Sequence, residues 1–435
     1  MPDLNGFELA IGRLAGISLI TLLLCFWIFF LKRAENRLFF LFFFLFLFVY
    51  SGIGWSYEDV GFEYIYYYTI YVAVLSGTIF LVKGKEQHLG NYQQEQLLLL
   101  AVKQYGSWII GLYLFLCLGE LVFPEFKLQL LINPPLPDIK ENLADRLENA
   151  ASLGIVGGIL YYLRNLAFPF YLCALLMYRK RIFYLVFLVF FPLYIQYCAE
   201  SYISRGVVLI NFIVLITCIY IYNRRYRKWL LGGGIVCAPF LLLGAVIYSY
   251  IRLGYHDVSF SFKEAFQLLV RQETFYPIWF NWIYEWKEEA ELAGAYWEWL
   301  FSLPLPSFMK AYSHDIAFNA IFSEYILEKS RYQVGQGFSI LLPGVMNESI
   351  FLLGKINFFL HAVIFGILIG AAFRILKYKV ERYLFLYVAL YCSYTTARGG
   401  TIASYPFLLK HLLIFAIVVW IYLFIKKQRN NSFPE

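Results

Sequence analysis

Long apolar runs separated by short polar clusters dominate the chain. A membrane-crossing helix needs about 20 mostly apolar residues to cover roughly 30 Å of hydrocarbon. The pattern predicts spans over approximately 10–31, 38–57, 64–82, 105–123, 155–178, 182–202, 207–222, 229–251, 356–376, 383–397 and 405–425. The clusters between them alternate in charge. One set holds Lys32, Arg33 and Arg37; Lys83 and Lys85; Arg179, Lys180 and Arg181; Arg224, Arg225, Arg227 and Lys228; Lys377, Lys379 and Arg382; and Lys426, Lys427 and Arg429. The alternate short loops hold Glu58, Asp59 and Glu63, then a single Arg205, then a single Arg398. Cationic loops stay on the cytoplasmic side. The expected fold is therefore an all-α polytopic membrane protein of about eleven transmembrane helices, N-terminus out and C-terminus in.

Two connections are long. Residues 1–251 carry the first eight spans and include a medium extracytoplasmic loop, 124–154, with Asn133-Pro134-Pro135-Leu136-Pro137 and an acidic amphipathic stretch. Residues 252–355 form a large extracytoplasmic loop, and residues 356–435 hold the last three spans and a basic tail. The large loop is too rich in Trp, Tyr and Phe for a disordered linker, and loops of this length are usually functional. Short helices are expected over 263–272, 276–291, 295–301 and 313–329, with Trp279, Trp282, Trp286, Trp297 and Trp299 as interfacial anchors. Residues 92–104 read as a separate interfacial helix. The first span has neither a basic region before it nor a small-residue cleavage site after it, so it does not read as a removed signal peptide.

Composition strengthens this picture. Of 435 residues, 61% are hydrophobic and 15% charged, with a mean hydropathy of +0.63; soluble domains have roughly 45–50% apolar and about 25% charged residues. The net charge of +7 resides in the basic loops and requires no nucleic acid. The seven cysteines, Cys25, Cys117, Cys173, Cys198, Cys218, Cys237 and Cys392, lie in apolar runs without metal-binding spacing and read as small buried hydrophobes. The five histidines are scattered, no metal site is expected, and no phosphate-loop, dinucleotide, GxSxG or HExxH pattern marks a cofactor or soluble-enzyme site.

The candidate chemistry is arginine beside hydrocarbon. Arg205 in Ser204-Arg205-Gly206 and Arg398 in Ala397-Arg398-Gly399-Gly400 occupy short outer turns. Arg252 ends the eighth span, Arg164 lies within the fifth, and Arg271 is on the large loop. Charge next to lipid is costly and marks function, and a guanidinium grips phosphate in a bidentate fork. The alternative for each is an arginine that snorkels or sets topology. Arg13 reads as structural. Sugar chemistry also needs a base. Glu348, at the end of the large loop, and His314 beside Asp315 are the candidates, with Glu200 and Glu273 behind them as acids close to an arginine.

The basic-inside spans, the Ser-Arg-Gly turn and the late large loop resemble the Wzy-type oligosaccharide repeat-unit polymerases. The loop's closing run, Gly335-Gln336-Gly337-Phe338-Ser339-Ile340-Leu341-Leu342-Pro343-Gly344-Val345-Met346-Asn347-Glu348, is similar to the family's glycine- and serine-containing loop end. The resemblance implies a GT-C-like bundle in the bacterial inner membrane with its site on the periplasmic or exterior face. It implies a glycosyltransferase that moves a growing glycan from undecaprenyl diphosphate to a fresh lipid-linked repeat unit, extending a surface polysaccharide. Arg205 and Arg398 match the family's functional arginines, and the carry-over extends to Arg252, Arg271 and His314. The implied partners are the lipid-linked donor and acceptor, membrane lipid, a chain-length regulator and a flippase. Two rivals stay open: an O-antigen ligase that hands the glycan to lipid A core, and a transporter of the same lipid-linked sugar.

Overall fold

A computed structural model describes residues 10–57, 59–84, 92–123, 126–135, 154–200, 203–230, 232–233, 243, 270–271, 273–285, 290–303, 318–328 and 341–431. The elements among these residues are helices, with no strand. Six are long and apolar enough to cross a bilayer: Ala34–Ser56, Tyr64–Lys83, Gln93–Gly119, Val156–Tyr178, Ile182–Glu200 and Thr401–Gln428. A seventh, Gly206–Tyr222 with Arg224–Leu230, is bent by 112° at Asn223. Ile11–Leu24 and Phe359–Ile375 are shorter apolar helices.

Several boundaries differ from the sequence expectation. Residues 92–104 do not form a separate helix: Tyr92–Gly119 is one helix of 28 residues. Lys103 and Gln104, where the interfacial segment was expected to end, are good helix formers, and no proline interrupts the run. The expected span at 356–376 begins instead with Phe359–Ile375, preceded by Val345–Asn357, which is itself kinked at Gly354. The final span is preceded without a gap by Thr401–Pro406 and a wide π turn over Phe407–Leu412. Pro406, which lacks an N–H for the α ladder, closes the short Thr401–Pro406 helix, and the π turn follows it directly. Most of the expected 229–251 span lies outside the described residues. In the large loop, helices at Phe280–Glu285, Ala290–Ser302 and Phe318–Leu327 answer to three of the four expected segments.

The chain divides into two compact units. The first comprises Met1–Glu86, Ile235–Arg374 and Ala389–Lys410. Its core is aromatic: Phe40 packs on Phe373 at 4.9 Å and Phe43 on Phe365 at 5.5 Å. Gly366 and Gly370, one helical turn apart, let Phe359–Ile375 lie close against Tyr64–Lys83. A Cβ at Gly366 would meet Thr78 Cβ at 2.7 Å, and one at Gly370 would meet Val82 at 2.8 Å. Small residues at this spacing bring helix backbones together where no hydrophobic driving force separates helix from lipid.

The second unit comprises Gln87–Gly234, Ile375–Val388 and His411–Glu435. Tyr92–Gly119 packs along Gly154–Leu175, with Tyr113 and Tyr171 stacked at 4.1 Å. Trp108, Phe115, Phe183 and Trp420 stand on its surface, as lipid-facing side chains would.

Candidate functional site

In the first unit a helix breaks and a carboxylate fills the gap. Arg382–Gly399 ends at Gly400, whose φ of +80° is the left-handed conformation that glycine adopts freely. A new helix begins at Thr401, and its first N–H groups have no partner within the helix. Glu348 supplies one: its Oε2 accepts from the Thr401 N–H at 2.7 Å, and its Oε1 accepts from the Thr401 hydroxyl at 2.9 Å. A carboxylate at a helix N-terminus also opposes the positive end of the helix dipole. The fit excludes a side chain at position 400, where a Cβ would lie 2.2 Å from Glu348 Oε2. The break is closed from the other side by Gly344, which donates its N–H to the Arg398 carbonyl at 3.1 Å while its own carbonyl receives the Glu348 N–H at 2.9 Å.

Glu348 is 1% exposed and faces a buried histidine. His361 Nε2 lies 3.7 Å from Glu348 Oε2, and His361 Nδ1 is 2.9 Å from the Tyr71 hydroxyl. The rings of Tyr296 and Tyr405 each lie 6.0 Å from the imidazole, nearly parallel to it. Asn347 continues the frame, donating to the Tyr276 and Pro343 carbonyls, each at 2.8 Å.

The same break carries Arg398. Its Nε donates to the Tyr276 hydroxyl and an Nη to the Tyr394 hydroxyl. Tyr50 packs edge-on against both rings, at 5.8 and 5.4 Å. Burial pushes the Tyr276 hydroxyl above its ordinary range, against the opposing pull of Arg398, so it stays a neutral acceptor. On the more open side stands Glu273, its Oε1 3.9 Å from Arg398. The Arg398 and Glu273 side chains are 20% and 25% exposed. A guanidinium has five N–H donors. The two tyrosines use two, which fixes the group and leaves donors for an anion.

The residues expected at a site are divided between the two units. Arg398 and Glu348 meet at the Gly400 break. Arg271 is buried in the same unit, 3.3 Å from Asp59 and over the Phe275 ring at 4.6 Å. Arg164 belongs to the second unit, where it pairs with Glu120 and lies over the Tyr161 ring at 5.0 Å. Arg205 begins Arg205–Tyr222, also in the second unit. Arg252 and His314 lie outside the described residues. Arg13 is structural as read, donating to the Tyr57 and Val60 carbonyls. Trp299 is not an interfacial anchor: it is buried against Tyr296 and Tyr405. Six of the cysteines are free and buried, and Cys237 is outside the described residues.

His361, Thr401 and the tyrosines around Arg398 were not singled out in the sequence. Tyr394 had a signal, lying one helical turn before Arg398. Tyr276 and His361 had none, since they reach the break from distant segments. Compared with protein families, characterised proteins and solved structures, the chain matches none.

Proposed function

We propose that the chain is a polytopic inner-membrane glycosyltransferase that polymerises undecaprenyl-diphosphate-linked oligosaccharide repeat units, in an eleven-span, N-out/C-in layout with its site on the outer face. The observation that supports this reading is Arg398: a fixed, part-exposed guanidinium at a helix break inside an apolar bundle. Such a group suits a diphosphate leaving group, because its charge is positioned before the negative charge develops. The membrane-type helices suit two lipid-linked substrates. The proposed base is Glu273 rather than Glu348. Glu273 is part-exposed beside Arg398, whereas Glu348 is enclosed and accepts hydrogen bonds from Thr401 through both oxygens, which makes it a positioning group for the turn.

The test is extension of a defined lipid-linked repeat unit by purified protein. Wild type should give a product ladder. Arg398→Ala should lose about 10²-fold or more in turnover, and Arg398→Lys should recover part of it, because a point charge cannot reproduce the fork. Arg205→Ala should behave like Arg398→Ala if both arginines hold diphosphate. Glu273→Gln should bind substrate normally and lose turnover. A ladder of wild-type rate from Arg398→Ala would end the reading. Product formed only when lipid A core is supplied would move the assignment to a ligase.

A second reading has its own support. Helices broken at Gly354 (φ +79°) and Gly400, with buried Glu348 and His361 nearby, resemble the discontinuous helices at which transporters bind substrate and coupling ions. Proteoliposomes separate the two: transfer of the lipid-linked sugar across the bilayer without extension would favour the transporter.

A further inference from the structure

The second unit contains a groove for which the site above has no use. It has a volume of about 280 Å³, and its walls include Leu98 and Val102 from Tyr92–Gly119, Phe170 from Gly154–Leu175, and Phe415, Val419 and Tyr422 from the final helix. Lengthwise it runs from Leu98 to Ile109 on one helix, which at 1.5 Å rise per residue is about 16 Å. Half of a hydrocarbon core of roughly 30 Å is about 15 Å, so the groove is as deep as one leaflet.

One end is marked by charge. Val380 and Glu381 line the groove there, between Lys379 and Arg382. Lys379 lies 3.4 Å from Glu95, which is one helical turn before Leu98. Lys426 follows Tyr422 by one turn, with Lys427 beside it. Lys377 completes the group. The two acids temper this charge unequally: Glu95 offsets one unit through its pair with Lys379, whose ammonium is exposed and keeps donors for a phosphate, and burial pushes the Glu381 carboxyl up to about 8, so it is largely neutral at pH 7. These lysines belong to the basic loops that the charge pattern assigns to the cytoplasmic leaflet, where anionic lipids gather.

We infer that this groove holds one acyl chain of an anionic phospholipid, with the phosphate on Lys379 and Lys426 at its mouth. The apolar walls follow the chain to the bilayer centre, and the cationic rim selects the headgroup. The inference is independent of the proposed activity.

Purified protein in mixed micelles, photolabelled with diacyl phosphatidylglycerol or phosphatidylcholine bearing a mid-chain diazirine, tests it. Phosphatidylglycerol should label peptides containing Val102 and Val419 several-fold more strongly than phosphatidylcholine. Lys379→Gln with Lys426→Gln should erase that preference, and Ala101→Phe, which fills the groove from one wall, should cut labelling by both lipids. A Val102→Phe variant repeats the blockade should Ala101→Phe fail to fold. Equal labelling by the two lipids in wild type would overturn the headgroup assignment. Labelling that survives the groove-filling variants would overturn the site, and preferential labelling by a photoreactive polyprenyl phosphate would give the groove to a prenyl chain instead.

Discussion

Two helices of the first unit break at a glycine of positive φ, Val345–Asn357 at Gly354 and the helix ending before Thr401 at Gly400, whereas the longest helix of the second unit runs for 28 residues without a break. In the first unit Glu348, His361, Asn347 and Thr401 are buried together around glycines at positive φ. In the second, Gly106 and Gly111 lie inside the continuous Tyr92–Gly119 helix, and the groove beside it is almost wholly apolar. The contrast shows two uses of glycine in an apolar bundle. At Gly106 a missing side chain makes room for Met177, whose Sδ would lie 2.1 Å from an added Cβ. At Gly400 it reverses the backbone, and the helix end so created needs a partner that lipid cannot provide. Glu348 is that partner. A buried carboxylate here follows from the break and does not by itself require a chemical step.

The sharpest way to break this comparison is to give both regions an alanine. Gly400→Ala meets a strained φ and a Glu348 oxygen at 2.2 Å. It should cost about 3 kcal/mol or more, from roughly 1–3 for the backbone and a further 1–3 if the Thr401 hydrogen bond is displaced. Gly111→Ala, with nothing within 4 Å of the new Cβ, should raise stability by about 0.5–1 kcal/mol. Thermal midpoints of both variants in detergent decide it. Equal midpoints would mean that the Gly400 turn is not under constraint.

Replacing the partner rather than the glycine should act less severely. Glu348→Gln keeps one oxygen acceptor for the Thr401 N–H and should cost about 1–2 kcal/mol. Glu348→Ala leaves the N–H and the hydroxyl both unsatisfied and should cost about 3. If Glu348 instead takes a proton in the reaction, the Gln variant should keep its thermal midpoint and lose turnover by about 10²-fold. Reading both quantities on one preparation distinguishes a positioning group from a base.

The class of the fold was legible because it is written in composition and run length: Tyr64–Lys83 and Ile182–Glu200 fall within a residue or two of the apolar runs that suggested them. Arg398 was legible as a charge beside hydrocarbon. Its surroundings were not. Tyr276 lies 122 positions before it, and the bond between them depends on how the large loop packs, which no local period encodes. Glu348 was legible by its place at the loop end, but its burial and its two hydrogen bonds from Thr401 were not, because they depend on the turn at Gly400. The two helix breaks differ in the same way. Gly400 lies in the short outer turn expected between the runs over 383–397 and 405–425, whereas nothing local marked the break at Gly354, which only its positive φ reveals.

The smallest effect belongs to the second unit, and pH exposes it. Glu381 is 2% exposed and accepts from the Tyr378 N–H at 3.0 Å, and burial pushes its carboxyl up to about 8 from 4.5 despite the nearby Arg382 and Lys377. The folded state therefore holds a proton that the unfolded chain releases near its ordinary carboxylate pKa. Stability from this group is fully present below about 4.5 and is lost as pH rises through about 8. The slope between those limits is at most about 1.4 kcal/mol per pH unit. Thermal midpoints between pH 5.5 and 8.5 should fall for wild type and stay flatter for Glu381→Gln, with the two curves furthest apart at high pH, where the glutamine avoids a buried charge. A wild-type slope that persists in Glu381→Gln would place the proton elsewhere. It would also leave the groove mouth less cationic, with Glu381 charged beside Lys379 at neutral pH, though still with more lysine and arginine than acid.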